Sequence, residues 1–237
     1  MADEPDVLTF RFGDGGGIPN HPSLPTLIYK RAGPAAQRHD PEALAKWFEQ
    51  TLAQHGWRAA WRWGVYDFPH YHSTAHELLA VYRGHASLRL GGAVGATFAV
   101  EPGDLIVLPA GTGHQNLGSS ADFHVVGAYP NGQDADLLRG DRGERPAADD
   151  RICRVPLPKA DPLMGAHGPL AKEWKLQAGL AGIIPATLSL EISTNASELA
   201  ASDEPRISCL SPTMSAARKQ SRRKACRSLH HAAASHR

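Results

Sequence analysis

Four side chains in this sequence could close on one metal ion. His70 and His72 stand two apart in the stretch Gly64-Val-Tyr-Asp-Phe-Pro-His70-Tyr-His72-Ser-Thr-Ala-His76-Glu77. On a strand that spacing turns both imidazoles to one face, about 6–7 Å apart along the backbone. A turn around Ser73–Ala75 would bring Glu77 back on the neighbouring strand to face them. A fourth donor comes later, in Gly103-Asp-Leu-Ile-Val-Leu-Pro109-Ala-Gly111-Thr-Gly-His114. There Pro109 and Gly111 would end a buried strand and turn the chain so that His114 is presented to the same point. His76 is a rival ligand, but as the neighbour of Glu77 it should point to the opposite face.

The two stretches resemble the paired motifs of the cupin superfamily. Gly64, His70, His72, Glu77 and Gly84 stand at the spacing of the first motif, and Gly103, Pro109, Gly111 and His114 at that of the second. The second departs at its last position, where Gly118 replaces an asparagine and Asn116 lies two residues earlier. The resemblance covers residues 58–130 and, more loosely, residues 7–174. It implies a mainly β protein: a single jelly-roll cupin β-barrel of uncharacterised function. It also implies one divalent ion held by His70, His72, Glu77 and His114. Three imidazoles and a carboxylate leave two octahedral positions open, which suits Mn, Fe, Ni or Co better than a closed structural zinc. Substrate or O₂ could bind there.

The usual reactions of such proteins are those of dioxygenases, isomerases and decarboxylases, and a small-molecule metalloenzyme is the expectation. A non-catalytic barrel that binds or senses a small molecule is the alternative. No separate nucleophile–base pair stands out, so no catalytic residue is assigned beyond the ligands.

The elements that must position these residues can be read from the pattern. Asp40 as N-cap and Pro41 at the first helical position open a helix. Leu44, Trp47, Phe48 and Leu52 line one of its faces, and Gly56 follows its end. After it come short β runs at Ala60–Asp67, Glu77–Tyr82, Ala86–Leu90, Thr97–Glu101, Asp104–Leu108 and Phe123–Tyr129, with turns at Gly91-Gly92 and Pro102-Gly103. If the first run continues unbroken to residue 72, Tyr66 and Phe68 share the histidines' face and line the pocket. A bulge at Pro69 would spoil that parity. Along the last run either Phe123 and Val125 or His124 and Val126 face inward, which makes His124 a further lining candidate.

Residues 1–57 are expected to form an arm and a helix on the barrel, and residues 58–130 the barrel core. Residues 131–174, rich in proline and charge, should form an extended strap. All sixteen aromatic residues lie at or before Trp174, and residues 175–237 carry nine Lys/Arg against four Asp/Glu. That segment has little with which to order its backbone and reads as a disordered basic tail.

The glycine-rich stretch Gly13–Gly17 precedes prolines, not a helix, and matches no nucleotide-binding fingerprint. A net charge of +1 over 237 residues gives no general pull toward nucleic acid or anionic membrane. No stretch is apolar enough to span a bilayer. The opening Met-Ala-Asp-Glu-Pro-Asp lacks a secretory pattern. Cys153, Cys209 and Cys226 form no close pair, so they read as incidental thiols and the chain as cytoplasmic. The apolar run Leu105–Leu108, if buried on both faces, points to a homodimer paired through outer strands.

Overall fold

The structure is a computed structural model that describes residues 6–176. Nine strands pair in two antiparallel sheets. They are β1 (Asp6–Phe10), β2 (Thr26–Lys30), β3 (Trp57–Trp63), β4 (Glu77–Arg83), β5 (Ala86–Leu90), β6 (Ala96–Val100), β7 (Leu105–Leu108), β8 (His114–Ser119) and β9 (His124–Pro130). Six of them form one sheet in the order β1-β2-β7-β4-β9-β3, and three form the other in the order β6-β5-β8. The mainly β expectation holds. Among the described residues the pairing stays in two sheets and does not close into one ring, although an isolated bridge joins His70 to His114.

Strand alternation sorts the side chains of the large sheet onto two cores. Ile28, Leu79, Val81, Ile106, Leu108 and Val125 meet Leu88 and Leu90 of the small sheet. Leu27, Tyr29, Leu78, Ala80, Leu105, Val107 and Val126 face the other way, toward helix α1 (Pro41–Gln54). That helix starts as the sequence predicts. The Asp40 carboxylate accepts from the Ala43 N–H at 3.1 Å, and Leu44, Phe48 and Leu52 are buried. Truncating Phe48 to Ala at this contact should cost about 3–5 kcal/mol.

The run Leu105–Leu108 is buried on both faces, but within the chain: α1 lies on one side and the small sheet on the other. The ground for a homodimer is therefore removed, though not the dimer itself.

Several boundaries differ from expectation. The first strand of the β region is Trp57–Trp63, not Ala60–Asp67, because residues 64–69 leave the sheet as a loop. His114 does not merely follow a turn; it opens β8, which pairs along β5. The strap of residues 131–174 is not wholly extended. It holds two short helices, α2 (Ala147–Ile152) and α3 (Pro169–Glu173). Its end is fastened by the buried Asp161 carboxylate, which accepts from Tyr29 Oη at 2.6 Å and from the Leu163, Met164 and Leu170 N–H groups. Trp174 is buried and donates to the Pro25 carbonyl at 2.9 Å.

Cys153 is disulfide-bonded, which corrects its reading as an incidental thiol. The basic tail lies outside the described residues, apart from Lys175 and Leu176. No helix among the described residues is long and apolar enough to cross a membrane.

Candidate metal centre

The site forms where chain segments from both sheets meet. His70 pairs with His114 through reciprocal main-chain hydrogen bonds of 3.1 and 2.9 Å, which sets their rings 3.9 Å apart, centre to centre. Gly111 makes this approach practicable. It sits at φ +86°, where a side chain would be strained, and its N–H donates to the His72 carbonyl at 2.7 Å. The chain between His72 and Glu77 turns around Asp136, whose carboxylate accepts from the Ser73 N–H at 2.6 Å and the Thr74 N–H at 3.2 Å. Glu77 opens β4 on the same parity as Leu79 and so faces between the sheets.

One ring nitrogen from each of His70, His72 and His114 lies within 4.8 Å of the others, so the three could hold a metal ion. His70 and His114 are buried, and His72 keeps 11% of its side-chain surface exposed. The main chain decides which nitrogens do so. His70 Nδ1 is bonded to the Phe68 carbonyl at 3.0 Å, His114 Nδ1 to the Thr112 carbonyl at 3.2 Å, and His72 Nδ1 to the Asp136 carbonyl. A carbonyl only accepts, so each Nδ1 carries its proton and each neutral ring turns an Nε2 lone pair inward.

Glu77 Oε2 lies 3.3 Å from His72 Nε2 and 3.0 Å from His114 Nε2. It is buried with no hydrogen-bond partner among the described residues. A buried carboxylate oxygen facing imidazole lone pairs needs a positive charge between them, either a proton or a cation. The donor set therefore fits a divalent ion.

The electrostatics express the same need. Burial would raise Glu77, but His72 and His114 outweigh it and hold the carboxyl well below its usual range. Burial pulls His72 down, yet the Glu77 carboxylate and the Asp136 carbonyl raise it to about 9. His70, desolvated and beside His114, falls to about 3. In this arrangement a proton shared with Glu77 competes with metal for the His72 nitrogen.

The three histidines and Glu77 line a cavity of about 510 Å³ whose walls include Trp61, Leu79, Tyr129 and Leu137. Tyr66 lines it too, half exposed and with its ring 5.2 Å from that of His70. Phe68 stacks on Tyr66 at 4.7 Å and sits 5.5 Å from His70, but is not part of the cavity wall. His124 is not part of it either. It lies on the opposite parity from Phe123 and Val125, near Trp63 and Tyr82. His76 is buried away from the cavity, against Trp174.

Two contributors were not singled out from sequence. Tyr129 Oη donates to Glu77 Oε1 at 3.2 Å and accepts from Trp61 Nε1 at 3.1 Å, which fixes the unused carboxylate oxygen. Its signal was parity, since Tyr129 shares the register of Phe123 and Val125. Asp136 lies in an irregular loop, where no periodicity could announce it.

No family model matches the chain. It is 39% identical over 171 residues to the uncharacterized protein YjlB of Bacillus subtilis (strain 168), a match spanning 72% of this chain and 98% of that protein. Among solved structures, a DUF861 family protein from Thermotoga maritima aligns at 20% identity and a TM-score of 0.25. That alignment covers 42% of this chain and 93% of that one. Acireductone dioxygenase from Bacillus anthracis, with a cadmium ion in its active centre, aligns at 20% identity and a TM-score of 0.27. Here the coverage is 57% and 79%. Both structural likenesses are too slight to carry an inference.

Proposed function

We propose that this chain, which belongs to the same family as YjlB, is a cupin-type protein holding one divalent metal ion through His70, His72, His114 and Glu77, a reading supported by its two spaced motifs and the histidine cluster they form. A small molecule in the adjoining cavity would be its substrate. The observation that supports this reading is the shared tautomer: His70, His72 and His114 each bond Nδ1 to a main-chain carbonyl. One nitrogen of each lies within 4.8 Å of the others, and Glu77 Oε2 stands 3.3 and 3.0 Å from the Nε2 atoms of His72 and His114. Three imidazoles and one carboxylate sum to a single negative charge, and they suit Mn, Fe, Ni or Co.

When bound, the ion would polarise a donor atom of the substrate or support its oxidation, in an oxidoreductase, isomerase or lyase reaction. The chain's own residues prepare the place. Tyr129, held by Trp61, orients Glu77. The Asp136 loop holds both the His72 ring and the turn that follows it. Trp61, Leu79 and Tyr66 supply apolar wall that displaces water. Arg62 also lines the cavity, but its guanidinium is engaged by Glu49 at 2.7 and 2.8 Å and by Glu42 at 2.9 Å. It therefore offers no free charge to an anionic substrate.

Elemental analysis of the full-length chain beside its His72→Ala and His114→Ala variants tests the metal. We expect about one Mn, Fe, Ni or Co per chain in the parent and none in either variant. Folded variants that keep the parent's metal would sink the assignment. Turnover is then sought across catechols, thiols, oxo-acids and phosphosugars. A loaded protein that is stabilised by one of these without consuming it is a binding or sensing protein, not an enzyme. A cytoplasmic homodimer belongs to the same proposal, and light scattering and cell fractionation test its two parts.

A further inference from the structure

A second cavity, of about 290 Å³, shares His114 with the first. One wall is Arg89. In β5, Leu88 and Leu90 point into the core between the sheets, so Arg89 stands on the other face, across from Gln115 of β8. Its Nε is buried and makes no hydrogen bond among the described residues. Another wall is Arg139, whose guanidinium is stacked 3.6 Å above the Phe68 ring. Among the described residues no carboxylate pairs with either arginine, whereas Arg62 and Arg145 are both held by acids. No Asp or Glu lines the cavity.

The glycine stretch of the N-terminal arm supplies part of the wall through Gly15 and Gly17. A Cβ on Gly17 would come within 2.7 Å of the Gly140 carbonyl oxygen, so only glycine lets the two backbones meet. Arg145 fastens the arm, bonding to both Asp14 carboxylate oxygens at 2.8 and 2.7 Å and to the Gly16 carbonyl at 2.6 Å. The result is a recess with two guanidinium groups that, among the described residues, pair with no acid; the nearby Glu144 carboxylate accepts instead from the Arg139 and Gly140 main-chain N–H groups at 2.9 Å. The buried Arg89 Nε carries an unrelieved desolvation cost, whereas Arg139 is exposed. Stacking on Phe68 fixes one plane while leaving its edge free for bidentate contact.

We propose that this recess is a binding site for a small oxyanion, a phosphate or carboxylate group, adjoining the metal centre across the shared His114. At about 290 Å³ it has room for such a group with a few attached carbons. The recess gives the glycine stretch a role without any nucleotide-binding motif.

The test uses the full-length chain at constant ionic strength, balanced with chloride. Inorganic phosphate and acetate are titrated separately while thermal stability is read. In parallel, phenylglyoxal labelling of Arg89 and Arg139 is followed by peptide mass spectrometry. We expect a saturable rise in Tm with at least one anion and parallel protection of both arginines. The half-saturation concentration should rise about tenfold or more in Arg89→Gln and Arg139→Gln. Protection by phosphate alone assigns a phosphate site; protection by acetate alone assigns a carboxylate site. No saturable effect of either anion overturns the proposal. So does a response unchanged in both variants, or one that vanishes on metal chelation while both arginines stay unprotected. If a variant does not fold, the labelling of the parent chain decides.

Discussion

Two groups of histidines lie close together in this chain and differ in one respect that settles what each can do. His70, His72 and His114 each turn Nδ1 to a main-chain carbonyl. His76 and His21 do the reverse. His76 Nδ1 accepts from the Ala110 N–H at 3.0 Å, and His21 Nδ1 accepts from the Ser23 and Leu24 N–H groups at 3.2 and 2.9 Å. A neutral ring in the first group points a lone pair outward through Nε2; in the second it points a proton. The buried Nε2 of His76 accordingly meets no acceptor and lies by the Trp174 ring, 4.8 Å away between centres. Burial and residue type do not separate the groups, since His70 and His76 are both buried and both fall to about 3. The main-chain partner does.

The largest expected effect is on metal content. Replacing His72 or His114 with Ala should weaken metal binding well beyond the about 10–100-fold typical of an outer partner, with folded protein remaining by circular dichroism. His76→Ala should leave metal content unchanged. If it too strips the metal, the contrast between the groups is wrong.

A pH effect comes next. His76 and His21, pushed down by burial to about 3 and about 4, are neutral in the folded chain where the unfolded chain, near 6.5, takes up protons. Their contribution is complete above about pH 6.5 and is lost on acidification toward those folded values. For His76 the slope is about 1.4 kcal/mol per pH unit. His72 has the opposite sign. Raised to about 9, its contribution in the metal-free chain is complete below about pH 6.5 and is lost as pH rises through 9. Urea denaturation of chelator-treated protein from pH 4.5 to 9.5 should trace both limbs. A His76→Asn variant with an unaltered acid limb would refute the assignment of that limb.

Smaller is the direct stability cost of His76→Ala, which orphans the Ala110 N–H and opens space against Trp174. We expect about 1–3 kcal/mol in urea unfolding of the metal-loaded protein. Smallest is Tyr129→Phe. It removes only the hydroxyl that holds Glu77 Oε1, so metal affinity should fall about tenfold while stability changes little. An unchanged affinity would show that Glu77 needs no such support.

The sequence by itself marked the candidate donors and determined the local elements. The His70–His72–Glu77 and Gly103–His114 spacings are chemical patterns legible without coordinates, and Asp40-Pro41 marks a helix start through groups only two or three residues apart. Short apolar alternation likewise located β4, β5 and β7 to within a residue. Such signals survive because their causes are local: capping, parity and turn chemistry act within a few residues.

Only the tertiary structure decided the rest. It moved the first strand of the β region to Trp57–Trp63, because the β9 ladder ends at Trp63, beyond which the Tyr66 carbonyl accepts from the Asn116 N–H of β8 instead. It brought Asp136 across 64 residues to hold the His72 ring, and Tyr129 across 52 to hold Glu77. It buried both faces of β7 inside one chain and set Arg89 and Arg139, without an acidic partner among the described residues, in a common recess. Each of these outcomes depends on which distant atom fills a hydrogen-bonding or packing vacancy. No periodicity along the chain encodes that choice, because it is made only when remote segments meet.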